Sequence, residues 1–206
     1  MKLDEISQRY RQQLMQGITE AQNLGFDTLP VIKPFERIKN TQLEELNTLC
    51  NTEFLHKVKK APSGYWGTSC IPLSRFIHEF LTEKGFKTDI VIGEVEINTT
   101  LEYDTTLEYI RKEYTTQNKK GEQTIHAWVS LGDDTVIDAA LPDRMIKFYK
   151  CPPEILPEII VSRASLLYKD LKVKHIPMVV GEDFIAKTTP TSPFTMMSNW
   201  IQRKLN

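Results

Sequence analysis

Between Thr124 and Ala139 the chain alternates in a pattern that a two-stranded antiparallel ribbon satisfies. Successive strand residues point to opposite faces, so in the run Thr124–Leu131 the apolar set is Ile125, Ala127, Val129 and Leu131, with His126, Trp128 and Ser130 on the other side. After a Gly132-Asp133 turn, the run Thr135–Ala139 puts Ile137 and Ala139 on one side and Val136 and Asp138 on the other. His126 and Asp138 therefore both stand off the apolar set of their strands. A turn centred on Gly132 sets them directly opposite each other, with Cβ atoms about 5 Å apart. A two-residue turn moves them to opposite faces, unless a bulge corrects the register.

The remaining segments predict an α+β fold. Leu3, Ile6, Tyr10, Leu14, Ile18, Ala21 and Leu24 recur at three- and four-residue steps, the stripe of an amphipathic helix. A connector with Pro30 and Pro34 follows, then the capping-box pattern Thr41-Gln42-Leu43-Glu44 and a second helix with Leu46, Cys50, Phe54 and Val58 inward. The loop Ala61–Gly67 opens the second half. A third helix starts at Thr68 or Ser69, carries Pro72 in its first turn and stops at Gly85. Lys87–Asn98 reads as a strand, Thr99–Glu122 as a polar and partly helical insertion, Ile159–Leu171 as helix and Val173–Val180 as a strand whose Pro177 suits a sheet edge. Ser192-Pro193 opens a final amphipathic helix. Residues 1–60 are thus expected to be a helical region packed on a core of residues 61–206, the whole forming one compact unit.

Charge balance removes several function classes. The 206 residues carry 26 basic and 27 acidic side chains, a formal net charge of -1, whereas nucleic-acid or anionic-membrane binding normally needs a basic excess. No nucleic-acid or membrane partner is expected, and no window approaches the roughly 18 consecutive apolar residues that cross a bilayer. The start Met1–Glu5 lacks the basic end and apolar run of a secretory signal, and three cysteines cannot all pair within the chain, so a reduced, cytoplasmic location is expected. There is no Cys-x-x-Cys, His-Glu-x-x-His, phosphate loop or dinucleotide fingerprint, so neither metal nor cofactor is expected.

Chemistry is concentrated in one constellation. Cys70 falls at a predicted helix N-terminus, where unpaired N–H groups and the helix dipole favour an anion and lower a thiol pKa. Taken alone, it also reads as a small buried hydrophobe. With His126 as general base and Asp138 as orienting carboxylate it completes a nucleophilic triad. Gly67-Thr68-Ser69-Cys70 opening a helix that ends at Gly85-Phe86, then Ile125-His126-Ala127-Trp128-Val129 and Val136-Ile137-Asp138, resembles the transglutaminase-like cysteine superfamily. The resemblance covers roughly residues 61–145. Ile71-Pro72 and Ala139 depart from the aromatic and proline that many relatives carry after the cysteine and the aspartate.

That resemblance implies a papain-like core, in which the cysteine helix packs on an antiparallel sheet bearing the other two residues. It also implies acyl transfer through a Cys70 thioester, with His126 as base and acid and Asp138 orienting the imidazole. The Cys70 N–H is one candidate oxyanion donor. Tyr65, Trp66 and Trp128 are candidates for oxyanion or substrate contact, and equally for aromatic packing. The expected activity is a cysteine peptidase, amidase or deamidase acting on a protein or peptide. The alternatives are a transamidating acyltransferase and a catalytically silent binding module. His56, His78 and His175 are expected to be structural, Cys50 to be core, and Cys151 has no catalytic reading.

Overall fold

The computed structural model describes residues 2–59, 66–117 and 123–189, in which helices and an antiparallel sheet are combined. Helix α1 spans Leu3–Asn23 and α2 spans Asn40–Leu49. The cap of α2 forms two residues earlier than the predicted box, because Gln42 accepts the Lys39 N–H at 3.0 Å. A π-turn, Cys50–Phe54, joins α2 to α3 (Leu55–Lys59). Leu46, Cys50, Phe54 and Val58 are four residues apart, and in a straight α-helix each such step drifts about 40° around the axis. The wider π-turn takes back that drift, and all four side chains are buried.

Helix α4 (Cys70–Glu83) leads to β1 (Asp89–Ile97), β2 (Thr100–Leu101), α5 (Leu107–Thr116), β3 (His126–Ser130) and β4 (Thr135–Asp138). After these come α6 (Leu141–Tyr149), β5 (Ile160–Arg163), α7 (Ala164–Leu171), β6 (Val173–Val180) and α8 (Asp183–Thr188). The strands follow the order β6-β1-β3-β4-β5, with β2 beside the far end of β1, and every pairing is antiparallel. Among the described residues β6 pairs only with β1, so Pro177 lies at an edge, as expected.

Both faces of the sheet are covered. Ile125, Ala127, Val129 and Ile137 pack with α4 and the α2–α3 segment, while Trp128, Val136, Val91 and Val95 pack with Tyr10 and Leu14 of α1, Leu141 of α6 and Leu167 of α7. The N-terminal helices thus rest on the sheet of the second half. Two expectations are corrected. Ile160–Arg163 is a strand, not helix, since it pairs residue for residue with Thr135–Asp138. The supposed insertion contributes to the core, because Ile110 and Tyr114 of α5 are buried and Tyr114 packs against Phe26 and Phe184. The expected final helix after Ser192 lies outside the described residues.

Two glycines permit the site's geometry. Gly132 has a φ of 92°, and a Cβ there would lie 2.5 Å from the Lys33 carbonyl oxygen. Gly93 pairs with His126 across β1–β3, and its Cβ would lie 2.1 Å from Ile176 O and 3.1 Å from the Trp128 ring. β1 and β6 also shift register at Ile92/Gly93. Overpacking a rigid core usually costs about 1–3 kcal/mol, and here the obstacle is backbone, so Gly93→Ala is expected to lower unfolding stability by about 3 kcal/mol. Urea denaturation measures this, and a loss below roughly 1 kcal/mol would contradict the close approach.

Candidate active site

The chain turns from β4 into α6 at Asp138, and the first N–H groups of a helix need acceptors. Asp138 Oδ1 supplies one, accepting from Ala140 N and Leu141 N, both at 3.0 Å. Its Oδ2 accepts from His126 Nε2 at 2.6 Å and His175 Nε2 at 3.0 Å. Burial alone would push the carboxyl up. The His126 charge and the hydrogen bonds from both imidazoles instead hold it well below the usual carboxylate range.

His126 reaches this carboxylate through a register one step beyond both of those foreseen. Thr135 N–H donates to Gly132 O and Val129 pairs with Ile137, so the loop is three residues, Gly132-Asp133-Asp134, centred one residue later than Gly132. An odd loop keeps His126 and Asp138 on one face, as diagonal rather than direct neighbours, and long side chains span that diagonal. Burial works against a charged imidazole, but the Asp138 charge and hydrogen bond, with Tyr103 and the Cys70 thiol, raise the His126 pKa well above 6.5.

Cys70 approaches from the other face of the sheet, at the start of β3. Its Sγ lies 3.8 Å from Ile125 O, and one turn on Ser74 Oγ donates to Ala127 O at 2.8 Å. Four helical residues rise about 6 Å and two strand residues about 6.6 Å, so α4 matches β3 carbonyl for carbonyl. The β3–β4 ladder has Val129–Ile137 as its one paired position, leaving the start of β3 to the helix. The thiol's own hydrogen bond runs to Ile125 O, and through that opening the thiol also acts on the His126 charge. Ahead of Cys70, Ser69 N donates to Trp66 O at 2.8 Å and Trp66 N donates to Asp143 Oδ2 at 2.6 Å, which ties the helix start to α6.

A fourth side chain, missed in the sequence, covers the site. Tyr103 OH is 3.1 Å from His126 Nδ1, and its ring stacks on the imidazole at 5.3 Å. Its loop is held by buried Glu94 of β1, whose Oε1 accepts from Tyr103 N at 3.1 Å and whose Oε2 accepts from Thr105 N at 2.8 Å. The Arg144 guanidinium lies 4.8 Å over the Tyr103 ring and pairs with Glu102.

The expected residues are distributed as follows. Cys70, His126 and Asp138 converge. Trp66 is half-buried beside the start of α4, and Tyr65 lies outside the described residues. Trp128 is corrected: it is fully buried, and its Nε1, the one donor it could offer an oxyanion, donates to Tyr10 OH at 2.9 Å. His175, expected to be structural, meets Asp138 Oδ2 from β6, with β1 and β3 between its strand and β4, a proximity that sequence distance conceals. The signal was its parity with Val173 on the buried face of β6. His78 Nδ1 is 2.8 Å from Thr88 Oγ1, His56 is exposed, and Cys50 is core with burial pushing its thiol up to about 12.

Among the described residues His126, Asp138 and His175 form the one group with donors close enough for a cation, within 4.8 Å of one another. Both Nε2 atoms already meet Oδ2, so a cation would have to displace both protons. No protein-family model matches the chain, and no curated protein or solved structure matches it at a significant level.

The shifts give a signed pH dependence. His126 is raised in the folded state, so its contribution to stability is complete below 6.5 and is lost as pH rises through the folded value. Asp138 is lowered, so its contribution is present above 3.8 and is lost as pH falls through its folded value. The stability difference between the wild type and His126→Gln should be constant from about pH 5 to 6.5 and shrink at alkaline pH, as read by urea denaturation. A difference that grows with pH would contradict the assignment.

Proposed function

We propose that this chain is a thiol hydrolase with a transglutaminase-like, papain-like core, acting on an amide of a protein or peptide. The observation that carries the reading is the buried His126–Asp138 pair at 2.6 Å, with the Cys70 thiol at a helix start and 3.8 Å from Ile125 O, next to His126 in the chain. Nothing in composition alone would bring these three groups together.

In the proposed reaction the Cys70 thiolate attacks the amide carbonyl carbon, and the oxyanion meets the free N–H groups of the first turn of α4. The carbon–nitrogen bond breaks, the His126 imidazolium gives its proton to the leaving nitrogen, and a thioester remains. Water then adds with His126 taking its proton, and the thiolate leaves with a carboxylic acid as product. By holding Nε2, Asp138 leaves Nδ1 of His126 as the nitrogen that serves the thiol. In the resting arrangement the Tyr103 hydroxyl occupies that Nδ1, and an acyl donor enters as the hydroxyl swings aside. Hydrolysis or deamidation is preferred to cross-linking because water serves as acceptor without a second site.

The Tyr103 contact is also what favours a second reading, a silent protein-binding module with the hydroxyl as permanent cover. Iodoacetamide kinetics separate the two. The enzyme reading expects Cys70 to alkylate near neutral pH faster than an unstructured thiol, with a loss of at least about tenfold in His126→Ala. Equal rates in the wild type and His126→Ala would sink it. Tyr103→Phe should accelerate alkylation roughly two- to tenfold, the equivalent of one net hydrogen bond. A permanent cover that only supports the fold would leave the rate unchanged or lower it.

A further inference from the structure

Asp138 has four donors, and the proposed reaction uses one of them. Two are backbone N–H groups of α6, and the fourth is His175 Nε2, at 3.0 Å from the same Oδ2 that His126 contacts at 2.6 Å. His175 lies on β6, on the side of β1 away from β3. It is 2 % exposed, and Trp128 meets it edge-on at 4.9 Å. Its Nδ1 has no partner among the described residues. That pattern belongs to a neutral imidazole whose single proton is on Nε2 and directed at Asp138.

We propose that His175 is a positioning residue for the Cys70 site: its Nε2–H fixes Asp138 Oδ2 on the line to His126 and takes up part of that oxygen's acceptor capacity. This inference rests on the reading of Cys70 and His126 as nucleophile and base. A carboxylate oxygen that received only His126 would hold the His126 proton more strongly, and an imidazolium held too strongly is a poor acid toward a leaving nitrogen. Sharing Oδ2 weakens that hold without moving the carboxylate, because Oδ1 stays on the α6 N–H groups.

Supporting directions agree. Burial and the His126 charge keep the His175 pKa low, so His175 remains a neutral donor while His126 is charged. The titratable groups facing the two imidazoles are Asp138 from β4, Cys70 from α4, Tyr103 from the β2–α5 loop and Tyr10 from α1. Arg9 of α1 and Lys174 of β6 border a cavity of about 10 Å³ beside His175, the space of about one water.

The chain has four histidines, so single substitutions assign each ring in an NMR titration. In His175→Phe, which removes the donor, the His126 titration is expected to move up by about one pH unit. In His175→Gln, whose amide can donate to Oδ2, it should stay within about 0.3 unit of wild type. Equal His126 titrations in wild type and a folded His175→Phe protein overturn the proposal, and so does an equal shift in both variants. A purely structural role would lower the melting temperature in both and move neither titration.

Should both variants fail to fold, the ¹⁵N spectrum of the wild type decides. A His175 ring with its proton on Nδ1 cannot donate to Asp138, and the proposal fails. The underlying reading fails separately, if Cys70 alkylation in the wild type does not depend on His126.

Discussion

One buried carboxylate organises this molecule. Moving an ion out of water costs several kcal/mol unless its lone pairs are met, and Asp138 meets that requirement with four donors from three elements. Those donors link β3, β6 and the start of α6 to the end of β4. The sheet around it then has little freedom: β3 and β6 must flank β1 at the distance two imidazoles can span. Gly93, paired with His126, keeps β1 thin enough for β6 to approach. The chemistry proposed for the site and the packing of the sheet therefore depend on one residue.

The Cys70 thiol is placed by a different principle. Asp138 and His126 share one face with α1, whereas Cys70 belongs to the helix on the other. What brings them together is the short β3–β4 ladder, which leaves the carbonyls of Ile125 and Ala127 to side chains of α4. A sheet fully paired along that edge would have no opening for a thiol. The loop carrying Tyr103 is in turn held by Glu94, one residue from Gly93, so cover and site share a single stretch of β1.

Much of this was legible in the chain, and the omissions have physical causes. The alternation around His126 and the capping chemistry near Cys70 are local patterns, and both placed their residues correctly. Parity set His126 and Asp138 each off the apolar set of its strand, but whether they share a face was left to the loop length, which depends on Thr135 N–H finding Gly132 O. His175 and Tyr103 were missed because their partners lie across the sheet, where sequence distance carries no information. Ile160–Arg163 was misread for a related reason: its apolar content suits a helix equally well, and only pairing with β4 decides. Trp128 was taken for a contact residue because an aromatic beside a reactive histidine looks the same in sequence whether it faces a ligand or a core.

The burial of Trp128 has an optical consequence. Its indole ring lies 5.9 Å from His126 and 4.9 Å from His175, shielded from solvent and tied by Nε1 to Tyr10. A protonated imidazole quenches indole emission at such range, while a neutral one does so weakly. The chain thus contains an intrinsic fluorophore that reads the charge of its own proposed catalytic base, and a change of ionisation on acylation would be visible without any added label.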